Sequence, residues 1–148
     1  MKTVIQRVKK AAVTINGKEK REISRGLAVL AAFGKDDELS DCVKTFEKIV
    51  NLRIFSNENG KFDFSLKDVN GELLIISQFT LYGECSAGKR PDFTKAAGFE
   101  KGKKLYEEFL NIAKKSGIKT ESGEFGADML VDIQNDGPVT IILDSERI

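Results

Sequence analysis

The sequence predicts a single α+β domain, with mostly antiparallel sheets in a barrel-like arrangement and two main helices. Three observations predict it. Short apolar segments alternate with a period of two and are separated by Asn-Gly turns. One uninterrupted apolar run, 26–33, suits a strand covered on both faces. Two further stretches, 37–51 and 99–113, repeat their apolar residues at helical spacing instead. A chain of 148 residues can bury roughly 70% of its unfolded surface as one domain. No repeat, low-complexity tract or linker divides it, so 1–148 is expected to be one unit.

The elements follow in order along the chain. Val4-Ile5-Gln6-Arg7-Val8 and Ala11-Ala12-Val13-Thr14-Ile15 read as two short strands leading into the turn Asn16-Gly17. The run 26–33 is ended by Gly34, and Asp36, Asp37 and Glu38 then favour a helix N-terminus, where carboxylates complement the dipole. Leu39, Val43, Phe46, Ile49 and Val50 give the amphipathic helix over 37–51. Leu52-Arg53-Ile54-Phe55 reads as a strand, closed by the turn-rich 56–60. Phe62, Phe64 and Leu66 alternate with Asp63 and Ser65, the mark of a half-buried strand. After the turn Asn70-Gly71, a buried strand over 73–76 feeds Ser77-Gln78-Phe79-Thr80. Residues 84–95 form a polar loop containing Lys89, Arg90 and Pro91. Phe99, Leu105, Tyr106, Phe109, Ile112 and Ala113 mark the second helix, stopped near Ser116-Gly117. Met129, Val131 and Ile133 alternate, as do Val139, Ile141 and Leu143, on either side of a Gly-Pro connection at 135–138.

Composition excludes several chemistries. The chain has no histidine, which removes Ser-His-Asp and Cys-His mechanisms and His-ligated metal sites. Cys42 and Cys85 are far apart and no Cys-x-x-Cys occurs, so neither a metal site nor a redox motif is expected. No cofactor is called for. Two cysteines without a secretion signal suit a reducing cytoplasm. No apolar run approaches the ~18 residues of a membrane span, so a soluble protein is expected. The net charge of +1 hides a strong division along the chain. Residues 1–25 hold eight Lys/Arg against two Asp/Glu, and 89–119 hold nine against four, whereas 120–148 hold one against seven. Two basic blocks on a neutral chain fit either a phosphate-binding face or ordinary solvation of helices and loops.

Two segments can carry chemistry. Ser77-Gln78-Phe79-Thr80-Leu81 places hydroxyls, an amide and backbone N–H groups at the end of a buried strand. Such donors can stabilise a developing oxyanion, but no neighbouring base is present to activate a hydroxyl nucleophile. Gly137-Pro138 either makes an ordinary turn or, with a cis bond, turns its backbone carbonyls into a ligand site.

Over essentially its whole length the chain resembles the D-aminoacyl-tRNA deacylases. The resemblance is carried in order by Val4-Ile5-Gln6-Arg7-Val8, Asn51-Leu52-Arg53-Ile54-Phe55, Ser77-Gln78-Phe79-Thr80-Leu81, Phe125-Gly126-Ala127-Asp128-Met129 and Asn135-Asp136-Gly137-Pro138-Val139-Thr140. It implies a homodimer, with its active site at the subunit interface, that cleaves the ester joining a D-amino acid or glycine to the 3′ end of tRNA. Ser77, Gln78, Phe79 and Thr80 would surround the ester. A cis Gly137-Pro138 would reach into the partner's pocket, grip the substrate's α-amino group through backbone oxygens and leave no room for an L side chain. Arg7 would hold that loop, and Phe125 and Met129 would wall the pocket, unless both simply pack the core. The vicinal ribose hydroxyl of the RNA would assist attack, which agrees with the missing histidine; an alternative makes Thr80 a covalent nucleophile. As a separate expectation, not part of the resemblance, Lys89, Arg90, Lys101, Lys103 and Lys104 lie near the acceptor stem. Three other readings stand beside this one: a non-catalytic RNA-binding module, a hydrolase of another small ester or amide, and a structural dimer.

Overall fold

The computed structural model describes all of residues 1–148. Its backbone is organised by β1 (Lys2–Ile15), longer than either piece expected from the sequence. Exposed Lys9 and Lys10 break the apolar alternation, but the strand runs through them with register irregularities between Gln6 and Lys10. β2 (Glu19–Ile23) returns through Asn16 (φ +49°) and Gly17 (φ +67°) to pair with the second half of β1. The sequence Glu-Lys-Arg-Glu-Ile offers a single apolar residue, so periodicity could not reveal this strand.

β3 (Gly26–Ala32) pairs antiparallel with the first half of β1 and parallel with β6 (Glu72–Ser77). β6 pairs in turn with the short parallel β7 (Thr120–Ser122), which the sequence reading also missed. β8 (Met129–Asp144) lies antiparallel along the other edge of β1. The Arg21 guanidinium donates to the Ser122 carbonyl at 2.7 Å, linking β2 to β7. The single sheet therefore nearly closes on itself, and the α+β fold is as predicted, with a parallel β3–β6–β7 side. A separate hairpin joins β4 (Phe55–Ser56) to β5 (Phe62–Phe64).

Several boundaries differ from expectation. Helix α1 (Leu39–Asn51) starts later because Asp37 is used in a turn, where its carboxylate accepts from Gly34 N–H and from the amino group of Met1. Glu38 becomes the N-cap, in a reciprocal box with Asp41. Leu52 closes α1, so the strand expected at 52–55 shrinks to Phe55–Ser56. In β5 the alternation marks an exposed face: Phe62 and Phe64 face solvent, and buried Leu66 lies beyond the strand.

The sheet carries apolar side chains on both faces, which explains the unbroken run through β3. One face meets α1 and α2 (Phe99–Lys115) in the larger core, where Phe33 and Phe46 contact Phe109 edge-to-face at 6.3 and 5.9 Å. The other face holds Val8, Val13, Ile23, Ala28, Leu74 and Ile76, with Met129, Val131 and Ile133 packed against them. No helix is long and apolar enough to cross a membrane.

Candidate active site

The apolar residues of β6 end at Ile76, and the chain leaves the core at half-buried Ser77 and Gln78. Gln78 N–H donates to the Ala31 carbonyl at 2.8 Å, pinning this exit to the end of β3. A 3-10 turn (Phe79–Tyr82) follows at once. The first N–H groups of such a turn have no partner within it, so the exit presents backbone donors beside the polar side chains. The Gln78 amide donates to Thr80 Oγ1 at 2.5 Å. That bond orients the threonine hydroxyl and leaves its own hydrogen free to donate.

A cleft of about 510 Å³ opens here, lined by Ser77, Gln78 and Phe79 on one side and by Phe125, Met129 and Val131 on the other. Phe99, the first residue of α2, and Ala97 just before it also line the cleft, a placement that helical spacing does not reveal. Helix α2 fixes the far wall. Tyr106 is buried, and its phenolic oxygen lies 2.9 Å from the Ile75 carbonyl and 3.2 Å from that of Gly123. Burial raises the Tyr106 pKa above its ordinary value, which keeps the phenol a neutral donor. Its ring lies 5.8 Å from Phe125, which in turn meets Phe99 edge-on at 5.3 Å. Phe125 is thus both packed and part of the cleft. Gly123 lets Met129 close the wall, since a Cβ there would sit 2.4 Å from its sulfur. Neither contact is visible in apolar spacing, because both depend on chain crossings.

Gly137 and Pro138 lie elsewhere. They are not a turn between two paired strands, as expected, but an excursion within β8. Thr140 pairs with Gln6 and Asn135 with Val8, so 136–139 bulge away opposite Arg7. The Gly137–Pro138 peptide is cis, both residues are exposed, and neither lines the cleft of their own chain. The base of the bulge is stapled by polar side chains. Val139 N–H donates to Asn135 Oδ1 at 3.1 Å, and the amides of Asn135 and Gln6 donate to Thr140 Oγ1 at 3.0 and 3.2 Å.

Arg7 is buried against this loop. Its Nε donates to the Asp136 carbonyl at 3.1 Å and lies 3.4 Å from the Asp136 carboxylate. Its Nη1 donates to the Ile54 carbonyl at 2.7 Å and lies within 3.4 Å of Ser56 Oγ. The guanidinium therefore ties the bulge to the chain entering β4. Asn135, Gln6 and Ile54 were not singled out as loop supports from the sequence.

The five basic residues are all exposed, two on the loop after the 3-10 turn and three at the start of α2. Phe79 contacts Phe93 edge-on at 5.1 Å, anchoring the 84–95 loop that bears exposed Lys89 and Arg90. Lys101, Lys103 and Lys104 are exposed on the first turns of α2, although Lys101 Nζ donates to the Lys35 carbonyl at 2.5 Å. Within one chain, then, Ser77, Gln78, Phe79, Phe125 and Met129 line one cleft, with Thr80 bonded to Gln78 at its edge. Arg7, Gly137 and Pro138 form a separate projecting unit.

Comparison with known proteins agrees along nearly the whole chain. A family model described as D-Tyr-tRNA(Tyr) deacylase matches residues 4–144. A D-aminoacyl-tRNA deacylase of Thermosipho africanus is 55% identical over 148 residues, covering 100% of this chain and 99% of that protein. One of Clostridium beijerinckii is 54% identical over 147 residues, covering 99% of each. Among solved structures, a c-Myc DNA unwinding element binding protein superposes with a TM-score of 0.88 at 41% identity, covering 97% of this chain and 98% of its own. A probable eukaryotic D-amino acid tRNA deacylase has the same fold, with a TM-score of 0.87 at 17% identity over 96% and 97% of the two chains.

Proposed function

The chain belongs to the D-Tyr-tRNA(Tyr) deacylase family, and on that premise we propose that it removes D-amino acids, and glycine, from mischarged tRNA in the cytoplasm. The observation that carries this reading is a largely apolar cleft whose polar end holds the Ser77 hydroxyl and the Gln78 amide, in a chain without a histidine base, with the Gly137–Pro138 loop exposed and outside that cleft. Two copies complete one another: the loop of each enters the cleft of its twin. The surface of β8 supports such a dimer. It is an edge strand paired only with β1, and its Leu130 and Ile142 are 67% and 75% exposed.

In the assembled site the ester carbonyl lies against Ser77–Thr80, where the Gln78 amide, the Thr80 hydroxyl and the first N–H groups of the 3-10 turn receive the oxyanion. The vicinal hydroxyl on the terminal ribose assists attack on the carbonyl, so positioning supplies much of the rate. Backbone oxygens of the partner's Gly137–Pro138 take the α-amino group. A D side chain, or none, points out of the cleft, while an L side chain meets the loop. Excluding one configuration with backbone lets many side chains through, which an apolar pocket cannot do at about 10–200-fold per methylene.

Hydrolysis of matched D-tyrosyl-, glycyl- and L-tyrosyl-tRNA tests this reading. The first two are hydrolysed and the third survives; equal loss of both tyrosyl enantiomers would refute it. Lys89, Arg90, Lys101, Lys103 and Lys104 are proposed to meet the acceptor-stem phosphates. Neutralising one that touches phosphate lowers the slope of log affinity against log salt by about one. An unchanged slope for all five removes that placement.

A further inference from the structure

Of the twelve residues lining the cleft, Asp128 alone carries a charge. It sits between Ala127 and Met129 at the start of β8, with its backbone held on both sides. Asn16 N–H donates to the Asp128 carbonyl at 2.8 Å, and Asp128 N–H donates to Asn16 Oδ1 at 3.2 Å. Asn16 is itself fixed in the β1–β2 turn with φ +49°. No hydrogen bond or ion pair engages the Asp128 carboxylate, although the chain has twenty-four Lys and Arg. The residue is exposed and belongs to the cleft lining, so its free carboxylate carries no cost of burial there.

Such a group is a liability in a site for the end of a polyanion. A lone carboxylate beside the last nucleotides repels phosphate and weakens binding of any RNA. The repulsion is offset only if the carboxylate meets a cation, and the one cation at the end of an aminoacyl-tRNA is the amino acid's own α-ammonium. Backbone carbonyls present dipoles to that group, whereas Asp128 presents a full charge. We propose that Asp128 is the counter-charge for the substrate's α-ammonium and makes the enzyme selective for acyl groups with a free, protonated amine. This rests on the deacylase reading above and extends it to a residue of the chain that holds the ester.

Two substrates separate the effect: D-tyrosyl-tRNA, and the same tRNA carrying the D-hydroxy acid in which a hydroxyl replaces the amine. The ratio of their kcat/KM values is compared between the wild type and Asp128→Asn, with Asp128→Glu as the conservative variant. The amine-over-hydroxyl preference is expected to fall about tenfold in Asp128→Asn, a typical size for a charge-assisted contact at a partly solvated site. Asp128→Glu restores part of it. An equal fall on both substrates assigns Asp128 a structural role and overturns the proposal. An unchanged ratio overturns it too, as does faster turnover of both substrates, which would mean that the carboxylate only repels RNA. If the wild type leaves D-tyrosyl-tRNA intact, the deacylase reading itself fails, a result distinct from all of these.

Discussion

Gly137→Val is expected to lower D-aminoacyl-tRNA deacylation by about a hundredfold or more while leaving the fold intact. Gly137 has φ +125°, a region that side chains rarely adopt. A Cβ there would lie 2.8 Å from Val139 Cγ2 and 3.0 Å from Arg7 Nη2. Neither neighbour yields easily. Val139 is buried, and Arg7 is committed to the carbonyls of Asp136 and Ile54. The bulge must move instead, and a shift of ~1 Å in a positioning element costs on the order of a hundredfold in rate. The strain falls on an exposed bulge outside both apolar clusters, so the protein should still fold, with a melting temperature lowered by several degrees. The check is a deacylation rate beside a thermal melt. Activity within twofold of wild type would remove the loop from the site.

The second large effect concerns Gln78 and Thr80. Gln78→Ala, or Thr80→Val, each removes one donor from the proposed oxyanion site and is expected to lower kcat by about 100- to 1000-fold, on the order of 3 kcal/mol. The two effects should not add, because the Gln78 amide also orients the Thr80 hydroxyl. The same assay distinguishes the role of Thr80. A threonine that accepts a bond from an amide, in a chain without histidine, has no evident base to make it a nucleophile. Thr80→Val therefore retains slow turnover, and a substrate lacking the vicinal ribose hydroxyl reacts poorly even with the wild type. A trapped acyl-Thr80 ester, or full activity on the deoxy substrate, would favour covalent catalysis instead.

What could be read from the sequence follows physical rules. The 26–33 run announced a two-sided strand because both sheet faces are covered. The helices were visible in their apolar stripes, and Ser77–Thr80 in the abrupt polarity change at the end of β6. β2 and β7 were hidden, since Glu-Lys-Arg-Glu-Ile and Thr-Glu-Ser lack alternation and are held by pairing alone. The Gly-Pro segment looked like a turn because a bulge and a turn share residue types. What makes it a bulge is pairing of both flanks with β1, a long-range fact. Arg7 was legible only through resemblance: an arginine in an apolar strand shows nothing of the carbonyls it will meet. Phe99 and Tyr106 acquire their places through chain crossings that no local pattern records, whereas Asn135 staples its own bulge through Val139 and Thr140.

That one subunit's loop completes its twin's cleft can be tested by mixing two inactive proteins. Gly137→Val has a sound cleft and a faulty loop; Gln78→Ala has the reverse. In a mixed dimer, one cleft with intact Gln78 faces an intact Gly137 loop, and the other site is defective twice over. Unfolding the two variants together and refolding the mixture should restore about a quarter of wild-type deacylation, from statistical pairing into one good site per mixed dimer. If mixed dimers form and activity stays at the level of the separate variants, the loop serves its own chain and the cross-subunit site is wrong.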